Sequence, residues 1–107
     1  MLYLNGNNIT LTRGDTLQLQ VDICYYDGEA YQPVEGDVVQ FFLKPQYKPG
    51  VVVEVDIPID TLVLELGADV TKALPSGYFA YDIQLTKADG YVDTFLSGTL
   101  IITEEVA

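Results

Sequence analysis

The side chains able to do chemistry in this sequence are carboxylates, tyrosines and one thiol. Its 107 residues carry 16 Asp and Glu, eight Tyr, one Cys and no His. Without imidazole there is no Ser–His–Asp triad and no histidine metal ligand. Cys24 has no histidine to make it a nucleophile, and as the one cysteine it forms no internal disulfide. Two carboxylates could in principle cleave a glycosidic bond. However, Asp15, Asp27, Glu29, Asp89 and Asp93 fall in turn signals or on solvent faces, where such residues shape the backbone. Calcium needs several convergent oxygens. The best loop clusters are Asp27 with Glu29 and Glu35 with Asp37. Neither follows EF-hand spacing, and turn formation accounts for both. The expectation is a protein that is not an enzyme, with no metal and no cofactor.

Charge narrows the partners. Sixteen acidic against five basic residues give a net charge of −11. Binding to a nucleic-acid backbone needs clustered Lys and Arg, so no nucleic-acid partner is expected. Anionic membrane surfaces are disfavoured for the same reason. No apolar stretch approaches the roughly 20 residues of a membrane helix. Met1-Leu2-Tyr3-Leu4 has neither the basic region nor the apolar run of a signal peptide. Synthesis in the cytoplasm without export by a leader is therefore expected.

Two features invite sharper readings. Arg13-Gly14-Asp15 spells an integrin-type tripeptide, yet Gly-Asp is also what a strand-to-strand turn would use. Tyr3, Tyr25, Tyr26, Tyr31 and Tyr47 fall near turns, where they could form an aromatic platform for a protein or a sugar. Tyrosine is equally a good strand former.

The elements that must position these residues are strands. Leu17, Leu19, Val21 and Ile23 alternate with Gln18, Gln20, Asp22 and Cys24, the period of a half-buried strand. Ile9 to Leu11 reads as a short edge strand. Val38 to Lys44 puts Val39, Phe41 and Leu43 on one face and Phe42 on the other. Val51 to Ile57 alternates until Pro58, and Leu62, Leu64 and Leu66 mark another strand. Residues 67–74 hold the only plausible helical turn, with Asp69 or Thr71 as its cap. Seven or eight short strands with almost no helix predict one all-β domain over residues 1–107, an immunoglobulin-like antiparallel β-sandwich. The spacing of Gly77, Phe79 and Tyr81 resembles the corner leading into the penultimate strand of such domains. The tyrosine of that corner would here be Phe79, which has no hydroxyl.

The last hairpin can be counted out. A two-residue Asp89-Gly90 turn makes Ala88 face Tyr91. Ile83 then pairs with Leu96, Tyr81 with Gly98 and Phe79 with Leu100 on the core face. The other face pairs Tyr78 with Ile101 and Gln84 with Phe95. Leu19, Val21, Phe41, Leu64, Phe79, Tyr81, Ile83 and Leu100 are the expected core. Tyr78, Phe95 and Ile101, with Phe42 as a neighbour, form the candidate partner surface.

The strand-and-turn pattern also resembles a known group. The relevant stretches are Asn8-Ile9-Thr10-Leu11-Thr12-Arg13-Gly14-Asp15-Thr16, Gly36-Asp37-Val38-Val39-Gln40-Phe41, Gly77-Tyr78-Phe79-Ala80-Tyr81-Asp82-Ile83-Gln84-Leu85 and Gly98-Thr99-Leu100. Together they look like small immunoglobulin-like phage and prophage tail proteins, similar to the N-terminal domain of siphophage baseplate upper proteins. The resemblance implies a non-enzymatic structural or adaptor protein of the virion tail, assembling with other tail or baseplate proteins as a monomer or dimer. The rival reading from the tyrosines is a carbohydrate- or cell-surface-binding module.

Overall fold

A computed structural model describes the backbone of residues 2–5, and residues 7–25 and 27–104 in full. Gly6, Tyr26 and the side chain of Tyr3 lie outside that description. The elements in chain order are β1 (Leu2–Asn5), β2 (Asn8–Thr12), β3 (Leu17–Gln20), β4 (Val38–Pro45), β5 (Val53–Ile57), β6 (Val63–Leu66), α1 (Ala68–Ala73), β7 (Gly77–Thr86) and β8 (Val92–Thr103). A six-stranded sheet runs β1-β2-β8-β7-β4-β5, and β3 pairs with β6 in a two-stranded sheet. This is an all-β sandwich of immunoglobulin type. β4, β7 and β8 stand where such domains place strands C, F and G. β5 is the added C′ strand, and β3 and β6 are the B and E strands of the opposing layer.

Alternation decides which side chains face inward. Phe41, Leu43, Phe79, Ile83, Leu100 and Ile102 from the large sheet meet Leu17, Leu64 and Leu66 from the small one and Val21 just past β3, all buried. Phe41 is fully buried, and its ring packs 5.8 Å from that of Tyr81, centroid to centroid. Leu19 departs from the expected core. It is half-buried, packed at the margin of the core, although Leu17 on the same strand is fully buried. Ile9 to Leu11 is not an edge strand. β1 covers one side of β2, and β8 runs parallel to its other side, with Ile9 opposite Leu100 and Leu11 opposite Ile102. Ile9 and Leu11 are both apolar because, two residues apart, they face the core together.

The tripeptide Arg13-Gly14-Asp15 is built into the fold. Its turn carries the chain from the large sheet to the small one and locks onto α1. The Arg13 Nε–H is shared between the carbonyls of Lys72 and Leu74, both at 3.0 Å. A cation there satisfies the orphan carbonyls at the helix C-terminus. From the helix side, Thr71 Oγ1 donates to the Asp15 carbonyl at 2.7 Å. Thr71 is thus a buried anchor, not the cap. The N-cap is Gly67, with no side-chain cap bond, and Asp69 lies in the first turn.

The last hairpin keeps its expected register by an unexpected route. Tyr81 pairs with Gly98, Ile83 with Leu96 and Phe79 with Leu100. The turn, however, is not two residues long. Lys87 N–H donates to the Tyr91 carbonyl, and Gly90 N–H to the Lys87 carbonyl. Gly90 has φ +94°, the left-handed conformation that closes a three-residue loop. Ala88 therefore does not face Tyr91. A β-bulge then skips Phe95, so Gln84 pairs with Thr94. The longer turn and the bulge each shift the register by one residue, in opposite senses, and cancel.

Candidate functional site

Two ends of the sandwich gather exposed aromatic side chains. At the first, the connection from β3 to β4 meets the β7–β8 turn. In immunoglobulin-type domains these B–C and F–G loops lie side by side. The long connection folds back on itself. Cys24 bridges to Ala30, Tyr31 N–H donates to the Ile23 carbonyl and Tyr25 N–H to the Glu29 carbonyl. Asp27 Oδ1 accepts from the Glu29 N–H at 3.0 Å, so this acidic pair shapes the turn. The fold-back brings Tyr25 and Tyr31 together, edge to face, with ring centroids 5.5 Å apart.

Asp37 holds the two loops together. It is the one buried carboxylate among the described residues. Its Oδ2 accepts from the Tyr31 hydroxyl at 2.5 Å and from the Val34 N–H at 3.1 Å. Across the gap, the Ala88 backbone also hydrogen-bonds to it. Tyr31, then Val34, hold the Asp37 carboxyl below its ordinary value of 3.8, with the Lys87 charge adding to the effect. Reciprocally, the bond to Asp37 pushes the Tyr31 phenol up to about 12. Glu35 is exposed and does not join Asp37 in a cation cluster. Among the described residues no three Asp, Glu, Cys or His side chains gather as metal ligands.

Between the loops lies a cleft of about 400 Å³. Ile23 and Leu85 form its floor and Tyr25, Tyr31 and Tyr91 its walls. Asp89 and Asp93 also line it. Asp93 gets there because the bulge sets it opposite Leu85, on the inward face. The Lys87 ammonium lies 5.0 Å from the Tyr31 ring centroid and 5.8 Å from that of Tyr91, within cation–π range of both. The sequence reading placed Tyr25 and Tyr31 near turns but missed Tyr91 and Lys87. Assigning the two loops to one end of an immunoglobulin-type sandwich would have found them.

The second aromatic end lies where β4 finishes and β7 begins. Tyr47 is 89% exposed and Tyr78 59% exposed, and both line a cleft of about 210 Å³. Gln46 lines it too, and its Oε1 is buried with no hydrogen-bond partner in the protein. Tyr78 pairs with Ile101, as counted, and Ile101 pairs with Thr10 beyond it. Phe42 does join this sheet, but it sits between Asp82 and Glu54, with Ala80 separating it from Tyr78 along β7. Phe42 and Ala80 share a shallow depression with the exposed Val51. Phe95 does not stand with Tyr78 and Ile101. As the extra residue of the bulge it is half-buried and packs against the core.

No protein-family model matches this chain, and no curated protein matches it. No helix among the described residues is long and apolar enough to cross a membrane.

Proposed function

We propose that this chain is a non-enzymatic structural or adaptor domain of a phage or prophage tail or baseplate, acting through protein–protein assembly. The observation that carries the reading is the Tyr47–Tyr78 end of the large sheet. Two exposed tyrosines flank a buried amide oxygen that has no protein partner, beside Ile101 on the outer face. Buried acceptors are normally satisfied, and an N–H from a docking chain would satisfy this one. Tyrosines around a buried polar group are the composition of an interface centre. The strand-and-turn resemblance supports the biological setting. Its Thr-Arg-Gly-Asp segment locks the β2–β3 turn to α1.

The test is co-purification with phage tail or baseplate proteins of the same genome, repeated with Tyr78→Ser and Ile101→Thr combined. Assembly lost while the melting midpoint holds supports the reading. Assembly unaffected removes this face from it. The tyrosine cleft at the other end favours a second reading, a carbohydrate- or cell-surface-binding module, and binding of the isolated chain to a glycan array would favour it over assembly.

A further inference from the structure

The cleft between the two loops has its own cation. Lys87 emerges at the base of the β7–β8 turn and lays its ammonium against Tyr31 and Tyr91. The rings are held for this. Tyr31 is fixed by Asp37, and Asp37 is fixed by backbone groups of both loops. Tyr91 is 60% exposed, but its N–H donates to Asp89 Oδ1 at 3.0 Å, which sets its backbone. The result is a preformed aromatic cleft with two carboxylates in its lining, on a chain of net charge −11.

We propose that this cleft receives an arginine side chain of a protein partner, and that Lys87 is an internal placeholder which the arginine displaces. The proposal rests on the assembly reading, since it names the chemistry of a partner. Three features favour arginine. A guanidinium stacks flat on tyrosine faces, whereas an ammonium makes only a point contact. Its fork of N–H donors suits carboxylates such as Asp89 and Asp93. The charge of the whole domain draws a basic segment toward it and opposes a second copy of the same chain. A displaced Lys87 loses little, because its flexible stem can carry the ammonium into water.

The placeholder role gives the test an unusual sign. Lys87→Met keeps the stem and removes the competing cation. The probe is a short neutral-ended peptide with a single arginine, titrated against the full chain and followed by backbone amide NMR. The control replaces that arginine with citrulline, which has the same shape and no charge. Shifts should centre on the loops carrying Tyr25, Tyr31 and Tyr91. Lys87→Met should tighten binding about threefold to tenfold, and Tyr91→Ala should weaken it by a similar factor. Citrulline should bind several-fold more weakly. Equal binding of citrulline, unchanged or weaker binding by Lys87→Met, or shifts elsewhere on the surface would overturn the proposal. So would a methyl glycoside moving the same resonances when the arginine peptide does not. None of these outcomes depends on tail proteins. Failure here leaves the assembly reading standing, and failed co-purification leaves this titration interpretable.

Discussion

Tyr81 and Gly98 face each other across the last hairpin, and the pair ties the centre of the large sheet to its first turn. The Tyr81 hydroxyl donates to the Asn7 carbonyl at 2.5 Å, 74 residues away in sequence. A Cβ on Gly98 would lie 2.1 Å from that same carbonyl and 2.9 Å from the Tyr81 ring. The glycine is therefore required by the close approach of backbone and ring. Phe79 has no hydroxyl, and Tyr81, two residues on, makes a tyrosine-to-backbone tie of its own. Gly98→Ala should cost roughly 3 kcal/mol or more, at or above the upper end for overpacking. Tyr81→Ala should cost about 3–5 kcal/mol, and Tyr81→Phe only about 1–2 kcal/mol, the loss of one partly buried hydrogen bond. Denaturant melts of the three variants check the order, and a loss under about 1 kcal/mol for Tyr81→Ala would contradict the packing.

Arg13 should matter to stability and not to integrin-like recognition. Its Nε–H serves two helix-terminal carbonyls. Arg13→Ala should lower stability by about 1–2 kcal/mol. Lysine should restore less than half of that, since an ammonium cannot hold the same fork geometry. Equal stability of all three proteins in urea would show that the bond contributes nothing.

The Tyr31–Asp37 bond predicts a pH signature. Asp37 has its folded-state value lowered from 3.8, chiefly by Tyr31, so its contribution is full above about pH 4 and lost as pH falls through the lowered value. Tyr31 is raised from 10.0 to about 12, so its contribution is full below pH 10 and lost as pH rises toward 12. Tyr31→Phe should therefore be less stable than the parent by a constant margin between about pH 5 and 9. The margin should narrow on both limbs. A margin that stays flat from pH 2 to pH 12 would exclude this linkage.

The bulge makes Phe95 a packing residue. Phe95→Ser should cost about 1–2 kcal/mol, since a half-buried ring leaves the edge of the core. Ile101→Thr, on the outer face, should cost less than about 1 kcal/mol. Thermal melts giving the reverse order would place Phe95 outside and Ile101 inside.

These cases also mark how far the sequence was legible. Alternation exposed the strands and the inward faces of Phe41, Phe79, Tyr81 and Ile83, because period two survives without knowledge of the neighbours. It could not reveal that Lys87 and Tyr91 close the turn, or that Phe95 is skipped. Two opposite one-residue shifts leave the Tyr81–Gly98 pairing unchanged. Asp37 was hidden by its neighbour Gly36, which made it read as turn chemistry when it is a buried acceptor for the Tyr31 hydroxyl. The Arg13 contact spans 59–61 residues, and the tyrosine cleft joins loops separated by most of the chain. Both depend on topology that local pattern does not carry.

The proposed assembly into a phage tail has a direct test. Phage particles induced from the host and purified by density gradient can be analysed by quantitative mass spectrometry for this chain and the tail proteins. The account predicts the chain in a fixed ratio to tail or baseplate proteins, retained after a high-salt wash. Intact tailed particles that lack it, while the host cell contains it, would contradict the account.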